Sequence, residues 1–443
     1  MTPKLNGHIC VLFDDGRDFM KKISLFTISR TLSEAISDLS FIQKVRTIST
    51  AFTRNRKMPF CDIMWFIMSC SNRSLQTELD EYFARKGIET VSRQAFSKKR
   101  EQVKPEAFIA LNDLFVQKFE REDGEIATYR GYRLFSADGT LIDLPNTTEL
   151  RERFGYSSNG TDKIFAKGLA ITAYDVLNKI TVFADLYRYD DSEKRKILDI
   201  VDGFAKMYDT KSIWLLDRGY PTFELFTKLE QNTQNFVIRV STNSLKEVNN
   251  ANELDQIVTV TRGAISIKLR VINLALSSGE NEKLVTNIFT DFTPADFKEL
   301  YAKRWGLETN YSFLKRKTYL EVFSGESETA VLQDFHSSIL VLNMAAIAER
   351  EQEDVLAKNK AVCSDGKHMG CIYRPNKTKL IRDIKRDFVK LMLCEKKTNR
   401  VIRQFLLYKT IRRYAFLDIP DRHFPRNPTR SSKRRAPHTK QAL

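Results

Sequence analysis

The stretch SIWLLDRGY, residues 212–220, decides how the fold is read. Its first five residues are nearly all apolar, and the run closes on Asp217, Arg218 and Gly219. A short apolar run of this kind fits a central strand covered by helices on both faces. A carboxylate at the end of such a strand projects past the sheet edge, where α/β layers build their sites.

Working outward, DSEKRKILDIVDGFAKMY (191–208) predicts a helix with Asp191 or Ser192 as N-cap. Before it, KGLAITAYDVLNKITVFADLYRY (167–189) predicts a hairpin turning at Leu177, Asn178 and Lys179. Earlier still, YRLFSADGTLIDLP (132–145) predicts two strand segments bent around Asp138 and Gly139. Downstream come a helix from Pro221 and a second buried strand, NFVIRV (235–240). Three strands, helix, strand, helix, strand is a mixed α/β layer. From about residue 241 to 291 the pattern turns polar and strand-like, which predicts a β-rich insertion.

Residues 1–125 read as helical. FCDIMWFIMSC (60–70) is apolar but too short to span a bilayer, which takes roughly 20 residues, so a buried helix is expected. A helix over 75–86 should stop at Gly87, and Ser92 should cap a second helix carrying Arg93, Lys98, Lys99 and Arg100. Helix, glycine turn and basic helix is the pattern of a helix-turn-helix DNA reader. Phe108, Leu111, Phe115 and Phe119 then share one face of a core helix.

The N-terminus lacks a basic segment followed by an apolar one, so no secretory signal is expected. The six cysteines are scattered, as for reduced thiols; Cys363, His368 and Cys371 offer only three of the four ligands of a structural zinc site. Net charge is +16, and residues 374–440 hold 21 basic and 5 acidic side chains, which accounts for the whole excess. Such a block points to a polyanion, foremost nucleic acid. Residues 336–425 read as a helical basic region and 426–443 as a disordered basic tail.

One further stretch, LYAKRWGLETNYSFLK (300–315), predicts a helix with an unusual face. At about 100° per residue, Tyr301, Arg304, Glu308 and Lys315 fall on one stripe. Glu308 joins Asp138 and Asp217 as a third carboxylate from a third element. Spacing alone does not bring the three together; if they meet, their repulsion calls for cations. Hard oxygen donors in that number suit Mg2+ or Mn2+. Two such ions activate an attacking oxygen and stabilise a leaving one in phosphodiester chemistry.

DGT at 138–140, DRGY at 217–220 and the Tyr301, Arg304, Glu308, Lys315 spacing resemble the DDE transposases of bacterial insertion sequences. The subfamily resembled is the one with the YREK signature and a β-strand insertion, the insertion-sequence-4 family. The likeness runs from about residue 130 to 335 and is weaker at VSRQAFSKKR (91–100) and in the basic C-terminus. It implies an RNase H-like catalytic domain over 126–335, with the insertion at about 241–291, between a helical N-terminal domain and the basic C-terminal region. Asp138, Asp217 and Glu308 would hold two Mg2+ or Mn2+ ions. Tyr301, Arg304 and Lys315 would grip phosphates of the transposon end, and Arg93, Lys98 and Arg100 would contact the terminal repeat. The partners implied are double-stranded DNA, as transposon ends and target, and a second copy in a DNA-bound homodimer, with no membrane. The setting implied is a prokaryotic cytoplasm. Two alternatives stand beside this one: a transposase-derived DNA-binding regulator without catalysis, and an RNase H-like metal nuclease.

Overall fold

The computed structural model describes residues 23–418, except 55, 72, 123, 125, 159–163, 208–210, 242–244, 276–280, 317–320, 359–371, 393–405 and 411. Cys363, His368, Cys371 and the 426–443 tail lie outside the described residues.

Six helices come first: α1 (Leu25–Ser37), α2 (Leu39–Val45), α3 (Phe60–Ser69), α4 (Leu75–Lys86), α5 (Arg93–Arg100) and α6 (Glu106–Glu122). Caps set the ends of α4 and the start of α5. Ser74 Oγ accepts from Thr77 N–H to start α4, and Gly87, at φ 69°, ends it in the left-handed conformation that glycine adopts without strain. Ser92 Oγ accepts from Ala95 N–H to start α5. Phe108, Leu111, Phe115 and Phe119 are fully buried on α6, and α3 is buried, as its composition predicts.

The sheet region runs β1 (Arg133–Asp143), α7 (Thr148–Phe154), β2 (Tyr156–Ser158), β3 (Ile164–Asp175), β4 (Ile180–Arg188) and α8 (Glu193–Met207). It continues with β5 (Ser212–Leu216), α9 (Phe223–Gln231), β6 (Asn235–Val240) and the short α10 (Lys246–Asn249). Strands β7 (Asp255–Arg262), β8 (Ile265–Ala275) and β9 (Asn281–Thr286) follow. All nine strands form one sheet in the order β2-β3-β1-β5-β6-β9-β8-β7, with β4 on β3. Strand β5 is buried along its whole length and runs parallel to β1 on one side and β6 on the other. Trp214 from β5 packs against Phe135 of β1 and Phe204 of α8, with ring centroids 5.7 and 5.0 Å away. The β-rich segment does not stand apart: β9 pairs antiparallel with β6 and extends the central sheet.

The bend expected at Asp138 and Gly139 is absent. Strand β1 runs unbroken, and both residues stay in register with β3, Asp138 opposite Thr172 and Gly139 opposite Ile171. The long antiparallel pairing keeps the strand straight where the glycine alone suggests a break.

The remaining elements are α11 (Pro294–Ala302), α12 (Trp305–Arg316), α13 (Glu328–Lys358), β10 (Ile372–Arg374), α14 (Lys377–Met392) and β11 (Phe416–Asp418). Residues Glu328–Glu353 are long and apolar enough to cross a membrane, yet 89% of the apolar window is buried inside the protein. It is a core helix, packed against α3, α6, α14 and β4. Asn343 ties it down, accepting from Thr181 N–H at 2.7 Å and donating to Asn112 Oδ1 at 2.8 Å. Helix α13 runs unbroken across residues 335 and 336, and the N-terminal helices and the sheet share one hydrophobic core.

Candidate active site

Asp138 lies on β1, Asp217 directly after β5, and Glu308 in the first turn of α12. Parallel pairing of β1 with β5 brings the first two elements side by side. Tyr311 fixes α12 over them. Its hydroxyl donates to the backbone carbonyl of Asp138 and accepts from Thr172 N–H at 3.1 Å and Thr172 Oγ1 at 3.0 Å.

The single helix expected over 300–315 is two. Helix α11 ends at Ala302 and α12 begins at Trp305. Between them the chain tightens into three-residue turns, with Arg304 N–H bonding Tyr301 O and Leu307 N–H bonding Arg304 O, both at 3.0 Å. Tyr301 and Arg304 thus sit at a junction and not on a straight stripe with Glu308. The side chain of Lys315 lies outside the described residues.

The junction turns both side chains inward. Tyr301 Oη lies 3.3 Å from Asp217 Oδ1, and Arg304 Nη2 donates to Glu308 Oε1 at 2.8 Å. The Arg304 guanidinium stands 5.7 Å from the Tyr301 ring centroid and interacts electrostatically with Asp217 and Asp138 as well. One buried cation therefore serves all three expected carboxylates. Its Nε is buried without a hydrogen-bond partner.

A fourth carboxylate, Glu193, enters from the first turn of α8. Its Oε1 accepts from Gly139 N–H at 2.6 Å, and it shares the Tyr220 hydroxyl with Asp138 Oδ1, which lies 2.5 Å from that hydroxyl. A phenol has one proton to offer two carboxylates, so the trio favours a proton on one of them. Burial, with the Glu193 charge adding to it, pushes Asp138 up to about 6 against the pull of the Tyr220 hydrogen bond. Glu193 gave no motif in the sequence; its one signal was a place in the first turn of a helix facing the strand that carries Asp138. Tyr220 braces Asp138.

The surroundings of five other residues are as follows. Asp143 pairs with Lys167, away from the site. His336 is buried, and loss of solvent pulls it down to about 3, so it stays neutral. Arg93 and Lys98 are exposed on α5, as a DNA contact requires. Arg100 is not: it is 1% exposed and donates to Gln333 Oε1, Ser324 Oγ, Ala330 O and Asp334 Oδ1. Its position at the last turn of α5 turns it toward α13, where Asp334 takes its charge.

The four carboxylates supply only hard oxygen donors, the chemistry that suits Mg2+ or Mn2+. Among the described residues no three His, Cys, Asp or Glu side chains form a group ready to hold a metal ion. Tyr301 and Arg304 engage the oxygens of Asp217 and Glu308 that an ion would take.

Residues 129–344 match the family model described as the transposase DDE domain. That span includes Asp138, Asp217 and Glu308, and the match supports a DDE transposase. The chain is also similar to the piggyBac transposase in a cryo-EM structure of its synaptic complex with hairpin DNA. Identity is 13% and the TM-score 0.44, over 86% of this chain and 84% of that one. No curated protein sequence matches the chain.

Proposed function

We propose that the protein is a transposase of the insertion-sequence-4, YREK type, with an RNase H-like catalytic core, that binds the terminal inverted repeats of its own element, cuts there and joins the freed end to target DNA. The observation that carries this reading is the gathering of Asp138, Asp217 and Glu308, from three elements of the matched span, around Arg304.

Cleavage is attack of a water oxygen on a phosphodiester phosphorus, which breaks the bond to the 3′ oxygen and frees a 3′-hydroxyl. Joining is attack of that hydroxyl on a target phosphodiester, with one bond made and one broken. Mg2+ or Mn2+ held by Asp138, Asp217 and Glu308 would activate the attacking oxygen and neutralise the leaving one. The protein's own groups prepare the rest. Tyr301 and Tyr220 orient Asp217 and Asp138, and Glu193 holds Tyr220 against the strand. Arg304 supports a phosphate role through its unpaired Nε, a buried donor that a phosphate oxygen would satisfy. Lys315 would add a second cation for the transposon end. Two copies would act together, each on one end.

The test uses the DNA that flanks the gene as substrate, with Mg2+. Wild-type protein should release the ends and join them to a plasmid, and Asp217→Ala should do neither while still binding. A protein that cuts and never joins is a nuclease, and one that binds and never cuts is a regulator.

A further inference from the structure

A cleft of about 590 Å3 opens between the loop after α2 and helix α5, and it shares no residue with the carboxylate site. Arg54, Arg56, Lys98 and Lys99 line it, and no carboxylate does. Among the described residues, Arg54, Arg56 and Lys98 form no hydrogen bond or ion pair, whereas neighbouring Lys57 is paired with Glu89.

The wall facing α5 is rigidly built. Thr47 N–H bonds Gln102 O at 3.0 Å and Lys104 N–H bonds Val45 O at 2.8 Å, clamping the loop to the end of α5. Inside it, Arg46 Nη1 donates to Ala51 O at 3.3 Å and Thr53 Oγ1 to Thr50 O at 2.9 Å. These ties hold Phe52 at φ 61°, a left-handed conformation that a side-chain-bearing residue adopts only under strain. In return the Phe52 ring packs edge-on against Phe60 and lies 4.1 Å under the Lys99 ammonium. Burial first, and then the charge of Arg56, lower the Lys99 pKa.

We propose that this cleft seats the sugar-phosphate backbone of duplex DNA. The proposal rests on the transposase reading and adds a second DNA-contact surface to it. Four like charges held on a fixed frame repel one another unless a polyanion joins them. Backbone contacts position a protein without reading sequence. Lys98, which lines the cleft, then belongs with phosphate.

The test compares full-length wild type with R54A/R56A/K98A, all exposed positions, after circular dichroism confirms that both are folded. Fluorescence anisotropy follows binding to a random-sequence duplex and to a terminal-repeat duplex over a series of salt concentrations. Removing one phosphate-binding cation should flatten the salt slope by about 0.9, so the triple variant should lose roughly 2 to 3 and bind about a hundredfold more weakly at 0.1 M salt. The loss should be equal on the two duplexes, and R54K/R56K/K98R should restore the slope. An unchanged slope, or a loss confined to the repeat duplex, overturns the cleft and leaves the transposase reading intact. Wild type that binds neither duplex at low salt overturns both.

Discussion

Gly139 and Glu193 meet at a distance that leaves no room for a side chain on the strand. A Cβ at Gly139 would lie 2.5 Å from Glu193 Oε1 and 2.8 Å from its Cγ. The crowding comes from the Glu193 side chain, which would have to swing aside for a Cβ, since the strand itself is regular. Gly139→Ala should push the Glu193 carboxylate away from Gly139 N–H and from Tyr220. Breaking those hydrogen bonds should lower stability by about 1–3 kcal/mol in urea denaturation. End cleavage should fall with it, because Tyr220 would no longer be held against Asp138. Adding Glu193→Ala should recover part of the stability and none of the cleavage. Strictly additive losses would show that the two residues do not act on one another.

Asp138 makes stability depend on pH in a direction opposite to that of most carboxylates. Its folded pKa is raised to about 6 from 3.8, so between those values the folded state binds more protons than the unfolded one. Its contribution is favourable below about pH 4 and is lost as pH rises through 6. Asp138→Asn should therefore stabilise the metal-free protein at pH 7.5 by up to about 3 kcal/mol, and hardly at all at pH 4. Thermal melts of both proteins in chelator across that range measure it. A gain that is the same at both pH values would place its source elsewhere.

Arg100 should behave as a structural residue. With 1% exposure and four partners on α13 and the segment before it, Arg100→Ala leaves the half-buried Asp334 beside no cation. Such a loss typically costs about 3–5 kcal/mol. Affinity for DNA, corrected for the folded fraction, should stay at the wild-type value. A selective loss of DNA binding in a protein of wild-type stability would restore the contact role that its place in a basic helix suggested.

The parts of the molecule legible in the sequence are those governed by local rules. Strand β5 followed from an apolar run, the end of α4 from Gly87, the start of α5 from Ser92, and the β3–β4 turn from Asn178, which bonds Asp175 within it. The fold brings Asp138, Asp217 and Glu308, singled out by their motifs, near one cation, Arg304. What stayed hidden depended on partners distant in sequence. Arg100 looks like any exposed cation of a basic helix until α13 closes over it, some 230 residues later. Glu193 has no meaning until α8 docks on β1. The break between α11 and α12 was masked because Lys303 and Arg304 are good helix formers; burial of Arg304 against three carboxylates overrides that propensity.

That burial leads to the last expectation, which separates the two charges able to hold the site together. Among the described residues Arg304 is a buried cation facing Asp138, Asp217 and Glu308. Arg304→Ala should leave the three carboxylates repelling one another, and the metal-free protein should lose roughly 3 kcal/mol. A divalent ion that binds the folded state alone raises stability in proportion to the logarithm of its concentration over Kd. With no guanidinium on Glu308, Mg2+ should bind the variant more tightly and raise its melting temperature more than it raises that of wild type. DNA cleavage should still be lost, because the donor aimed at phosphate is gone. Arg304→Lys should restore stability without Mg2+, through its charge, yet recover little cleavage, because an ammonium cannot reproduce the fork of the guanidinium. Differential scanning fluorimetry with and without Mg2+, run beside end-cleavage assays, reads both effects. Equal Mg2+ shifts in Arg304→Ala and wild type would mean that the carboxylates bind no ion where Arg304 now stands.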